Sequence, residues 1–141
     1  MVNKDSDLYR AHPDWMLTTP YRRACHGRNQ NVLDFSRQEV VDYIYEAMAK
    51  VLGEAPISYV KWDTNRNITE CFSAVANAAD LGIVFHKYIL GVYDLYDRLR
   101  TKFPEILFES CASGGSRFDP GMLYYAPQTW TRDDTDAIER L

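Results

Sequence analysis

Cysteine is scarce: Cys25, Cys71 and Cys111 are the only three in 141 residues, unevenly spaced. An odd number with no C-x-x-C pair makes neither a disulfide framework nor a metal knuckle, so the expected compartment is reducing and cytoplasmic. No apolar run approaches the roughly 18 residues of a membrane span, and the opening stretch, with its Asp and Arg residues, has no signal-peptide core. No membrane partner and no export are implied. Positive charge is not in excess either. Sixteen Lys and Arg stand against 20 Asp and Glu, a formal net charge of −4, which excludes the basic face of a nucleic-acid binder. Repeats, low-complexity tracts and Gly/Ser linkers are missing, so residues 1–141 read as one unit with no second domain. What is present is core material: 46% hydrophobic and 13% aromatic residues, too much for a disordered chain.

Strand and helix signals alternate. Asn31 to Phe35 is a short apolar run that predicts a strand, and Ser36 with Glu39 has the spacing of a capping box. A helix should begin there, with Val40, Ile44, Met48 and Val51 on one face and Gly53 and Pro56 as its stop signals. Ile57 to Trp62 is β-branched and aromatic and predicts the next strand, ending at Asp63, Thr64, Asn65 and Arg66. A long helix follows from Val84 to Lys102, with Tyr88, Val92, Leu95 and Leu99 on one side, Gly91 as its weak point and Pro104 beyond its end. Ile106 to Glu109 predicts a third strand and Pro127 to Trp130 a fourth. The order implies an α/β fold with a parallel sheet and crossover helices, whose ligands gather at the carboxyl ends of the strands. A full (β/α)₈ barrel takes about 250 residues, so this length suits part of one or a small open sheet.

The polar strand tails carry the candidate chemistry. Alternation along a strand puts Lys61 and Asp63 on one side and Trp62 on the other. The lysine could keep the carboxylate ionised and nucleophilic while donating to a substrate hydroxyl, although a surface ion pair would look the same. Arg132, Asp133, Asp134, Thr135 and Asp136 crowd three acids after Trp130. Crowding can raise one pKa toward that of a general acid, and the remaining acids can cap a helix beginning near Thr135. Cys111-Ala112-Ser113-Gly114-Gly115-Ser116 has glycines that let backbone amides approach a ligand, but it fails both the P-loop and the nucleophile-elbow patterns. Arg28, just before the first strand, could reach a ligand or serve a structural pair. His12, His26 and His86 lack the spacing of a metal site, and neither metal nor cofactor is implied.

Tyr59-Val60-Lys61-Trp62-Asp63 with Asn65-Arg66, then Cys111 to Asp119, then Trp130 to Leu141, resemble the α-galactosidases of glycoside hydrolase family 36. The likeness extends in order to Asp5 to Arg10, to His12-Pro13-Asp14-Trp15 and to Asn31-Val32-Leu33-Asp34, covering essentially the whole chain. The resemblance implies a (β/α)₈ catalytic barrel of which residues 1–141 form a middle slice, and retaining hydrolysis of terminal α-galactosyl groups from melibiose- or raffinose-type oligosaccharides. It makes Asp63 the nucleophile and Asp133 the general acid and base, separated by about 5 to 5.5 Å. It places Lys61, Arg28, Cys111, Gly114 and Trp130 around the sugar, leaves Asp134 and Asp136 as support or caps, and implies a homo-oligomeric full-length parent.

The chain departs from the family pattern at Arg132, where Ser is frequent, and at Ser116, where a glycine run is frequent. The family's acidic pair from the first barrel strand has no counterpart here. An inactive, aggregation-prone fragment with uncovered sheet edges is therefore the alternative expectation. A related α-galactosyl transferase or α-N-acetylgalactosaminidase would use the same acids.

Overall fold

The computed structural model describes residues 1–112, 118–134 and 136–139. Gly114, the rest of the glycine-rich tail at 113–117, and Thr135 lie outside them. In chain order come α1 (Asp7–Ala11), a 3₁₀ turn (Pro13–Trp15), α2 (Gln38–Glu54), β1 (Tyr59–Asp63) and a second 3₁₀ turn (Leu81–Ile83). Then follow α3 (Val84–Lys102), β2 (Leu107–Cys111), α4 (Met122–Tyr125) and β3 (Gln128–Thr129). The three strands form one sheet in the order β1-β2-β3, and both pairings are parallel. Parallel neighbours cannot be joined by a hairpin, so α3 makes the crossover from β1 to β2 and α4 the crossover from β2 to β3.

The register aligns Lys61 with Glu109 and Asp63 with Cys111. Because side chains alternate, the face carrying Val60, Trp62 and Phe108 is the one the helices cover. Trp62 stacks on Tyr96 of α3 at 4.5 Å, and Phe108 meets the same ring edge-on. Val84, Tyr88, Leu95, Tyr96 and Leu99 of α3 are buried there with Val40, Val41, Ala49 and Leu52 of α2. An ion pair from Arg98 to Asp42 at 2.6 Å ties the two helices at their solvent edge. Tyr59, Lys61 and Asp63 are left on the opposite face.

Several local expectations change. Ser36 does not cap α2: its hydroxyl and its N–H both go to Asp34 Oδ1, at 2.5 and 3.0 Å, and Glu39 pairs with Arg37 instead. The helix starts one residue later, at Gln38, with Arg37 at the N-cap and no side-chain cap. Val51 is 59% exposed, and Leu52 takes the inward position. Asn31 to Phe35 is buried but forms no ladder strand. Its backbone bonds are divided between two separate stretches, Val2 with Asn31 on one side and Trp15 and Leu17 with Asp34 and Val32 on the other, so only isolated antiparallel bridges result. Gly91 has a positive reason to be there. A Cβ at that position would lie 1.9 Å from the Phe35 carbonyl oxygen, so the bare backbone lets α3 press against the 31–35 segment.

Candidate active site

The carboxyl ends of β1 and β2 are stitched together by Thr64, whose N–H and hydroxyl both donate to the Cys111 carbonyl, at 2.8 and 3.0 Å. Asp63 at the end of β1 is exposed and accepts a hydrogen bond from Asn65 Nδ2 at 2.6 Å. Cys111, its neighbour across the ladder, is buried. Lys61 does not pair with Asp63. Among the described residues its carboxylate partner is Glu109, 3.6 Å away on β2, because the parallel register sets these two side by side whereas Asp63 lies a full pleat further along. Glu109 also accepts the Tyr59 hydroxyl. That bond, followed by burial, raises the Tyr59 pKa above the ordinary phenol value, so the phenol remains a donor.

On its other side the Lys61 ammonium lies 3.7 Å from the centre of the Trp130 ring. Trp130 is held by its own N–H, which donates to the Ser110 carbonyl at 2.9 Å and so continues the β2–β3 pairing. Its indole N–H donates to Asp133 Oδ1 at 2.9 Å. One chain of contacts therefore runs from β1 through Lys61 and Trp130 to the acid beyond β3.

The three acids after Trp130 are not equivalent. Asp134 accepts the Asp136 backbone N–H at 2.9 Å, and this bond first of all holds its carboxyl below the ordinary carboxylate value, the wrong direction for a general acid at neutral pH. Asp136 accepts the N–H groups of Ile138 and Glu139, capping a turn over 137–139 where a helix was expected. Asp133, the acid bound to the indole, is exposed.

Arg28 occupies the tip of a tight turn. Gln30 N–H closes it onto the Gly27 carbonyl at 3.0 Å, and Arg28 and Asn29 have φ of 55° and 58°, the left-handed pair such turns require. The exposed Arg28 side chain is free to meet a ligand. Arg66, buried, fastens this turn to the loop after β1, donating to the carbonyls of Gln30, Cys25 and Asn67 and to the Thr69 hydroxyl. Glu70 adds a bond to the Cys25 N–H at 2.9 Å. Glu109, Tyr59 and Arg66 in these roles were missed from sequence. Strand alternation alone could have put Glu109 on the Cys111 side of β2, but only the register shows what it faces.

A cavity of about 400 Å³ borders this site. It is largely apolar and lies mainly on the helix-covered side, among Phe35, Ile44, Trp62, Tyr88 and Tyr96, with Lys61, Asp63 and Thr64 at its polar rim. The strand ends are favoured as the chemical site because the acids, the cation and the indole gather there.

A parallel α/β segment that presents acids, a lysine and an aromatic ring at its strand ends has the composition of a carbohydrate site. Comparison with known proteins gives the family. The Melibiase family matches residues 1–141, and the chain belongs to it. It is 55% identical to alpha-galactosidase AgaA of Geobacillus stearothermophilus over 141 residues, all of this chain and 19% of that protein. It is 48% identical to alpha-galactosidase Mel36A of Lactobacillus acidophilus, again over the whole chain and 19% of the relative. The crystal structure of AgaA, a GH36 enzyme, superposes with a TM-score of 0.94 over 99% of this chain and 19% of its own. Variants of AgaA are known in complex with raffinose and with stachyose. The chain thus spans about a fifth of the length of these relatives.

Proposed function

We propose that this chain carries the two catalytic acids of a retaining α-galactosidase, and that residues 1–141 form a slice of its (β/α)₈ barrel. The observation that carries the reading is the link Lys61–Trp130–Asp133, which joins the strand end bearing Asp63 to the acid after β3 on the face the helices leave open. Family membership and the raffinose and stachyose complexes of AgaA support the substrate class: oligosaccharides ending in an α-galactosyl group.

In the mechanism, Asp63 attacks the anomeric carbon while Asp133 gives its proton to the departing glycosidic oxygen. Asp133 then takes a proton from water, which attacks the same carbon and releases galactose from Asp63. Lys61 donates to a sugar hydroxyl and the Trp130 ring supplies an apolar wall; the family resemblance assigns Arg28, Cys111 and Gly114 to sugar binding as well. Asp133 is assigned over its neighbours because Asp134 and Asp136 are engaged with backbone N–H groups.

A chimera in which these 141 residues replace the matching segment of AgaA tests the assignment with p-nitrophenyl α-galactoside. Asp63→Asn should lower kcat by a factor on the order of 10⁴, as loss of a nucleophile does. Asp63→Gly with azide should yield the β-galactosyl azide. Full activity in either variant without azide would remove Asp63 from the role.

A further inference from the structure

We infer that Glu109 is a positioning residue for the sugar: a buried carboxylate that holds the Lys61 ammonium in place before substrate arrives. The inference deepens the α-galactosidase reading and rests on it, since it takes Lys61 as a sugar ligand.

Burial of the two partners is unequal. The Glu109 side chain is 6% exposed and that of Lys61 40%, so the acid belongs to the interior and the base to the open face. A carboxylate in such a place costs stability unless its oxygens are partnered, and an apolar residue would fill the position without that cost. Its partners explain its presence. Oε2 accepts the Tyr59 hydroxyl, which fixes the plane of the carboxylate, and Oε1 makes no hydrogen bond and faces Lys61 Nζ at 3.6 Å. The ammonium is thereby held between an anion and the Trp130 ring 3.7 Å away. A free lysine has many rotamers and would have to be immobilised at the moment of binding. With Glu109 and Trp130 flanking it, that ordering is already done, and the donors not turned to Glu109 remain available on the open side. Glu109 itself never touches the sugar. Its contribution reaches the substrate through Lys61 and should be seen mainly in binding.

The test uses the AgaA chimera. Glu109→Gln keeps the shape and an oxygen to accept from Tyr59 but removes the charge. KM for p-nitrophenyl α-galactoside should rise about tenfold, the equivalent of one charge-assisted hydrogen bond, with kcat within about threefold of the parent. Lys61→Met should raise KM at least as far, and Glu109→Gln added to Lys61→Met should cost nothing more, because both act through one ammonium. A purely structural Glu109 would instead lower Tm and add its full effect to that of Lys61→Met. That result, or an unchanged KM in Glu109→Gln, overturns the inference. Should Glu109→Gln fail to fold, Tyr59→Phe frees Oε2 alone, and it should raise KM in the parent chimera but leave it unchanged in the Lys61→Met background; any other pattern counts against the inference. Asp63→Asn in parallel separates the two levels. If it is inactive while Glu109→Gln is silent, only the role of Glu109 falls. If it keeps full activity, the α-galactosidase assignment itself fails.

Discussion

Trp130 makes two contacts in the candidate site with different parts of one side chain: the ring lies under the Lys61 ammonium and the indole N–H binds Asp133. The parts can be separated. Trp130→Phe keeps a ring and loses the donor, so Asp133, in the acid role proposed for it, would be free to rotate away from the leaving oxygen. In the AgaA chimera kcat should fall about tenfold with little change in KM, as expected for one lost bond to a charged acceptor. Trp130→Ala should raise KM as well, and steady-state kinetics on the two variants would show the split. A second residue-scale expectation concerns acid stability. Arg37 is buried and pairs with Asp14 at 2.9 Å, a bond that holds the Asp14 carboxyl below its ordinary value of 3.8. A depressed folded-state pKa stabilises the fold above the ordinary value and loses that contribution as pH falls through the folded value. Asp14→Asn should therefore destabilise at pH 7, by at most about 1 kcal/mol because the carboxylate is half exposed and screened. The gap between variant and parent should close progressively below pH 3.8, as urea midpoints at pH 7 and pH 3 would show.

At the scale of elements, α3 packs closely against the 31–35 segment at Gly91. Gly91→Ala would set a methyl carbon 1.9 Å from the Phe35 carbonyl oxygen, and backbone cannot yield there as a side-chain tip can. The segment must move, at a cost of about 3 kcal/mol, the upper end for overpacking. Thermal unfolding of the variant and its parent measures it. The same contact marks where sequence reading succeeds and fails. The helix over Val84 to Lys102 was legible to its ends because its apolar period and Pro104 are local signals. The parallel strands after Ile57 and Ile106 were legible for the same reason. The capping box at Ser36 was not realised, because Asp34, invisible as a competitor in the motif, takes the hydroxyl. The run at 31–35 has strand composition, yet whether it joins the sheet depends on partners elsewhere in the chain. Of the candidate site, Lys61, Asp63, Trp130 and Asp133 were singled out from motifs, while Glu109 escaped notice. Its link to Tyr59 spans 50 positions and exists only through strand register.

For the molecule as a whole, the sheet has one face buried under α2 and α3 and another on which Tyr59 and Leu107 are each 44% exposed beside Lys61 and Asp63. A galactosyl group has hydroxyls around its entire ring, and its hydrolysis needs the acids held in a site from which water is largely excluded. Contacts from one open face hold one side of the sugar only. The chain supplies 19% of the length of AgaA, so the remaining contacts have an obvious source in the relative. The isolated 141-residue chain is accordingly expected to show no turnover of p-nitrophenyl α-galactoside at enzyme concentrations where the AgaA chimera gives a clear rate. Circular dichroism of the isolated chain would report whether α2 and α3 are formed, so that inactivity through unfolding is distinguished from inactivity of a folded but open site. If the isolated chain is folded and as active as the chimera, the groups within it are sufficient for catalysis. If it is folded and inactive while the chimera is active, the acids are in place and the enclosure around the sugar is what the rest of the relative's chain contributes.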